Sequence, residues 1–246
     1  LPRETPLVYV HAASGEQRGA RISALSALIG GENCVVSASA AALLQVLPPK
    51  EAFRQSIFSL TVGDTLEPRT LTERLVTAGY ERVELVEGAG QIASRGDIVD
   101  IYAPGEEYPV RIEFFGDEID QMRSFDPVSQ RSIEQQKSVL IRPALETPQP
   151  KERTQKALKK IAGRTGLLDQ EQAWEDGISS VGGDVLLPLL YEKTETVLDY
   201  LDSRALIILD EALLIDEALR TEQLRFGETV QAMLERGEGV PEQGAL

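Results

Sequence analysis

Residues Pro109-Val-Arg-Ile-Glu-Phe-Phe-Gly-Asp-Glu-Ile119 constrain the fold more than any other stretch of this chain. Val110, Ile112 and Phe114 alternate with Arg111, Glu113 and Phe115. Successive side chains of a strand point to opposite faces, so this is the pattern of a strand buried on one side. Gly116-Asp117 reads as a tight turn, and the segment after it as a returning strand. One face packs on a core. The other presents an arginine, a carboxylate and a phenylalanine. Arginine and aromatic residues dominate the hot spots of protein interfaces, so this outward face suits partner binding better than catalysis.

The pattern around this hairpin predicts a small antiparallel α+β domain over residues 57–143. Strands are expected at 57–62, 82–86, 91–93, 97–102, 110–115, 118–123 and 139–141. One helix is expected at 70–78, with Leu71 and Leu75 on one face and Gly79 as its C-cap. The flanks, 1–56 and 144–246, have α/β character. Helices are expected at 21–29, 38–46, 151–162 and 174–178, with a buried connection at 186–190. A long acidic helix should run to about Arg236, and 237–246 should be a frayed end. Cys34-Val-Val36 reads as a short buried strand, and Ala205-Leu-Ile-Ile-Leu209 as a continuous apolar strand of a parallel sheet. The simplest topology is one α/β domain interrupted by the middle domain.

Charge narrows the function. Forty acidic residues against 25 basic ones give the 246-residue chain a net charge of −15. Such a field repels phosphate and argues against nucleic-acid binding by bulk charge. The one concentrated basic run is Lys151, Arg153, Lys156, Lys159, Lys160 and Arg164, which reads as a solvated helix face. The single cysteine, Cys34, reads as a buried small hydrophobe. It excludes an intrachain disulfide, which is consistent with a reducing cytoplasm. No apolar run has the length of a membrane span. The chain starts at Leu1 with no visible signal peptide, so it is expected to be a piece of a longer protein.

Catalytic patterns are absent. Leu209-Asp-Glu211 follows an apolar run as the Mg²⁺-binding acid of P-loop ATPases does, but the chain has no G-x-x-x-x-G-K-[ST] loop to cradle phosphates. Carboxylates at a helix start, favoured by its dipole, are the simpler reading. His11 is the only histidine, so no His pair can bind a metal, and no G-x-S-x-G elbow is present. The best constellation is Arg95, Arg111 and Phe115. If Tyr102 and Pro109 bound a hairpin loop, Ile101 faces Val110, Asp100 faces Arg111, and Gly96 lies near Phe115. Two guanidinium groups and an aromatic then form one exposed patch. The competing reading makes Arg111 a cross-strand partner of Asp100, worth under about 1 kcal/mol if exposed. It packs Phe115 under a neighbouring loop.

Gly63-Asp-Thr-Leu66, Leu75-Val-Thr-Ala-Gly-Tyr80, Ser94-Arg-Gly-Asp-Ile-Val-Asp-Ile101, Val110–Ile119 and Ser124-Phe-Asp-Pro127 form an ordered series that resembles the UvrB/Mfd family. Ser129-Gln-Arg-Ser132, Ala40-Ala-Leu-Leu-Gln-Val-Leu-Pro-Pro49, Leu186-Leu-Pro-Leu-Leu-Tyr191 and Asp199-Tyr-Leu201 are similar to the transcription-repair coupling (Mfd) branch. The tyrosine-rich hairpin and helicase motifs of the UvrB branch are not visible. The resemblance implies a UvrB domain 2-like fold at 57–143 set into a partial helicase-like α/β domain, and a UvrA-recruiting adaptor role in bacterial transcription-coupled nucleotide excision repair, non-catalytic in this chain. It implies that Arg95, Arg111 and Phe115 contact UvrA, and that a C-terminal domain of the intact protein masks them. RNA polymerase, DNA, ATP and Mg²⁺ would be handled by other domains, and the setting would be the cytoplasm. The alternative within the family is part of an ATP-dependent UvrB-type helicase acting on damaged DNA.

Overall fold

The computed structural model describes residues 15–31, 33–147, 152–154, 156–157 and 187–236. Its centre is a six-stranded sheet in the order β2-β3-β4-β5-β6-β7. The strands are β2 (Glu81–Arg82), β3 (Gln91–Arg95), β4 (Ile98–Ile101), β5 (Val110–Phe115), β6 (Glu118–Phe125) and β7 (Ser132–Gln136). All neighbours are antiparallel except β2 and β3, so the sheet is mixed, and the domain is α+β. A separate antiparallel pair joins β1 (Phe58–Thr61) to β8 (Ser138–Ile141), with Phe58 opposite Ile141.

The alternation of β5 sets the two faces. Val110, Ile112 and Phe114 enter the main core with Ile92, Val99, Ile101, Ile119 and Met122. Helix α4 (Pro68–Thr77) closes that core with Leu71 and Leu75, one turn apart on its inner face. Pro68 begins the helix, where a missing N–H is harmless. Gly79 ends it in a left-handed conformation (φ 92°), which lets Gly79 and Tyr80 donate to the carbonyls of Val76 and Leu75. A Cβ at Gly79 would stand 2.4 Å from Leu145 Cγ, so this corner also needs the missing side chain for packing. A smaller cluster of Val86, Ala93 and Phe125 lies apart from the main core.

The flanks contribute α1 (Gly15–Gly30), α2 (Ala40–Leu44), α3 (Lys50–Gln55), a short turn of helix α5 (Leu187–Leu190) and the long α6 (Ala212–Arg236). Ile22, Leu25, Leu47, Phe53, Val197 and Tyr200 form their core, and Leu47 bridges to Glu195 through both backbone bonds. A buried ion pair ties the first flank to the segment that follows β8. Arg21 of α1 grips Glu146 with Nε at 2.5 Å and Nη2 at 2.9 Å, and both side chains are buried. Beside it, a Cβ on Gly19 would lie 3.4 Å from the backbone nitrogen of Gly105, so α1 sits close on the turn between β4 and β5.

Several sequence expectations are corrected. Cys34-Val-Val36 and Ala205–Leu209 form no strand. Cys34 is exposed, Val35 is fully exposed, and Leu206, Ile207, Ile208 and Leu209 face solvent. An apolar run becomes a strand only where a neighbour supplies its hydrogen bonds, and none of the described residues pairs with these two segments. The strand expected at 82–86 is reduced to Glu81–Arg82, and the helix expected at 38–46 to Ala40–Leu44. The expected helix at 174–178, most of that at 151–162, and the end at 237–246 fall outside the described residues. Within 151–162, Ala157 is buried, and the Arg153 guanidinium lies 5.0 Å above the Tyr191 ring. No helix among the described residues is long and apolar enough to cross a membrane.

Candidate functional site

Arg95, Arg111 and Phe115 lie at the ends or middle of three consecutive ladders. Arg95 ends β3 opposite Ile98, Asp100 faces Arg111 across β4 and β5, and Ile101 faces Val110. The register inferred from the sequence is therefore the register observed for these pairs. The ladder continues to Ile98 opposite Glu113, and Phe114 N–H donates to the Asp97 carbonyl one step further. Phe115 is the last residue of β5 and is 83% exposed, so it does not pack under a neighbouring loop.

The exposed ring stands on a braced backbone. Gly116 takes a left-handed turn (φ 63°) that reverses the chain into β6. From below, Gly63 N–H donates to the Ile119 carbonyl, Ile119 N–H to the Asp64 carbonyl, and Leu66 N–H to the Asp117 carbonyl. Thr65 bridges to Glu118 in the same loop. The backbone that carries the ring is therefore already ordered before a partner covers it.

The two arginines converge on one buried carboxylate. Arg111 donates from Nε to Asp100 Oδ1 at 2.7 Å and from Nη2 to Oδ2 at 2.8 Å, a bidentate pair. Arg95 Nη2 lies 3.5 Å from the same Oδ2. The Asp100 side chain is 1% exposed, that of Arg111 19% and that of Arg95 57%. The cross-strand pair is thus largely buried, and it holds the Arg111 guanidinium above the usual arginine value through the hydrogen bond to Asp100, against the opposing effect of burial. The Arg111 guanidinium also lies 4.6 Å above the Phe125 ring. On the next strand Arg123 pairs with Glu113 at 2.8 Å. Three guanidinium groups therefore meet two carboxylates, Asp100 and Glu113. Glu118 stands opposite Phe115 across β5 and β6, so the face carries charges of both signs.

Residues outside the sequence reading complete the site. Gln130 has a left-handed backbone (φ 59°), and its Oε1 accepts from Arg111 Nη2 at 3.2 Å. Its Nε2 donates to the Pro127 carbonyl at 2.8 Å. Asp126 shapes that turn by accepting from Ser129 N–H at 2.6 Å, and this hydrogen bond holds its carboxyl below the usual range. An Asp-Pro pair followed by Ser at the third position is a turn signal that could have located both the turn and β7 beyond it. Nothing in the sequence marks a glutamine for a left-handed position.

The sequence pattern of the UvrB interaction domain matches residues 58–146, the segment that carries this whole site. These residues belong to the UvrB interaction domain family. Similarity extends further along the chain. The transcription-repair-coupling factor of Bacillus subtilis is 35% identical over 92% of this chain and 21% of its own length. That of Myxococcus xanthus is 34% identical over 83% of the chain and 17% of its own length. The UvrABC system protein B of Kosmotoga olearia is 35% identical over 57% of the chain and 21% of its own length. The resemblance to the UvrB/Mfd family read from the motifs is borne out, and the match to coupling factors covers the flanks as well as the UvrB interaction domain. The chain spans about a fifth of the length of the curated relatives it matches.

Proposed function

We propose that this chain is a UvrA-recruiting adaptor in transcription-coupled nucleotide excision repair, and that it recruits without catalysing. The observation that carries the reading is Phe115, a solvent-exposed aromatic on a braced hairpin, on the sheet that also carries Arg95 and Arg111. Phe115 fills an apolar pocket on UvrA, and the arginine pair Arg95 and Arg111 meets UvrA carboxylates. The flanks act as a scaffold. In the longer protein a C-terminal domain covers the patch until UvrA is needed, while other domains handle RNA polymerase, DNA, ATP and Mg²⁺. The coupling-factor relatives support this over a UvrB-type helicase, because the Bacillus subtilis match runs over 92% of the chain whereas the UvrB-type matches cover 57% and 61%.

Calorimetric titration of UvrA into the chain tests the reading, beside Phe115→Ala. The variant should fold as the parent does and lose roughly 2 kcal/mol of binding, the size of an interface hot spot. Parental affinity in the variant refutes the assignment of the patch. Absence of UvrA binding by the parent, together with ATP turnover, favours the helicase alternative.

A further inference from the structure

We propose that Gln130 is a positioning residue of the UvrA-facing surface: it fixes the Arg111 guanidinium on Asp100, so that Arg95 is left as the outward-facing charge. This rests on the adaptor reading above and assigns different tasks to its two arginines.

The argument begins with the number of donors and acceptors. Asp100 is one carboxylate beneath two guanidinium groups. If the arginines exchanged places on it, the outward charge would have no fixed position. Arg111 wins the bidentate geometry, at 2.7 and 2.8 Å, and Arg95 keeps a single longer approach of 3.5 Å with most of its side chain in solvent. Two features favour that outcome. The Phe125 ring supports the Arg111 guanidinium from one side. Gln130 Oε1 accepts from the same Nη2 that serves Asp100 Oδ2, which fixes the rotation of the guanidinium plane. Gln130 is itself held, since its amide nitrogen donates to the Pro127 carbonyl and, at 3.4 Å, to that of Val86. Arg111 is thus held in one orientation by the chain, and Arg95 is the arginine with more freedom to reach a partner carboxylate. A preorganised charge loses less on binding than one that must be ordered first.

The test uses Gln130→Gly. Glycine adopts φ near 59° without strain, so the turn is retained while the acceptor is removed. UvrA titrations of the parent, Gln130→Gly, Arg111→Ala and the double variant form a cycle. We expect Gln130→Gly to bind about fivefold to tenfold more weakly, in the range of one ordinary hydrogen bond. It should cause no further loss in the Arg111→Ala background. Nitrogen-resolved NMR of the chain alone gives a second readout: the Arg111 guanidinium protons should broaden in Gln130→Gly while the chain remains folded. Parental affinity, an equal loss with and without Arg111, or an unchanged Arg111 spectrum each overturns the assignment. A parent that does not bind UvrA overturns the adaptor reading and this assignment with it. Parental binding with an uncoupled Gln130 overturns the positioning role alone.

Discussion

Asp100 should be worth far more to this fold than a cross-strand ion pair on an open sheet. Asp100→Asn removes the carboxylate charge from beneath two arginines. Of these, Arg95 is mostly solvated and tolerates the loss, but Arg111 has only 19% of its side chain exposed. Two charge-assisted hydrogen bonds to it are weakened or lost. Hydrogen bonds to charged groups contribute about 1.5–3 kcal/mol each, and removing one partner of a buried pair typically costs about 3–5 kcal/mol. Residual solvation of Arg111 and its contact to Gln130 pull the figure toward the lower end, so we expect about 3 kcal/mol of destabilisation. Urea unfolding followed by circular dichroism reads this directly; with a slope of about 2 kcal/mol per molar, the midpoint should fall by about 1.5 M. Replacing both partners, Asp100→Leu with Arg111→Met, should recover most of the loss, because no buried charge is then left alone. A loss below about 1 kcal/mol for Asp100→Asn refutes the reasoning, since that is the range of a solvent-exposed pair.

Other outcomes follow from the same physical arguments. Arg21→Met leaves the buried Glu146 without its bidentate partner and should destabilise the chain by about 3 kcal/mol or more in the same urea assay; a change under about 1 kcal/mol contradicts a buried pair. Gly79→Ala combines left-handed backbone strain with a Cβ 2.4 Å from Leu145 Cγ, and a loss of about 2–4 kcal/mol is expected on denaturant titration. The Asp126 carboxyl titrates below its ordinary value when folded, because it accepts from Ser129 N–H. Its contribution is therefore present above the unfolded value and lost as pH falls below about 4. Asp126→Asn should flatten that acid limb in a pH series of unfolding midpoints, and an unchanged limb would contradict the assignment.

The middle domain was legible because its signals are local. Period-two alternation fixed the faces of β5, and the hairpin count fixed Asp100 opposite Arg111 and Ile101 opposite Val110. Gly79 announced the end of α4. What escaped was decided by neighbours distant in the chain. β7 has every residue but Gln136 exposed, so it carries no apolar alternation to read. Helix α3 follows two prolines and is only six residues long. The depth at which Asp100 is buried depends on Phe125 at the end of β6 and Gln130 in the turn after it. For Cys34 and for Leu206–Leu209 the composition reads as core, but the described residues supply no strand beside them. Local sequence signals an element's preference, whereas burial is a property of what surrounds it.

The pairing of β1 with β8 bears on how mechanical load would pass through the chain. Phe58 and Ile141 are cross-strand neighbours, so the segments that enter and leave the UvrB interaction domain do so side by side, about 5 Å apart. Tension applied through the flanks would peel this pair open one hydrogen bond at a time, as a zipper opens. The six-stranded sheet lies off that line of force, because every one of its strands comes between β1 and β8 in the chain. The face that carries Arg95, Arg111 and Phe115 can then hold its shape while the flanks are pulled.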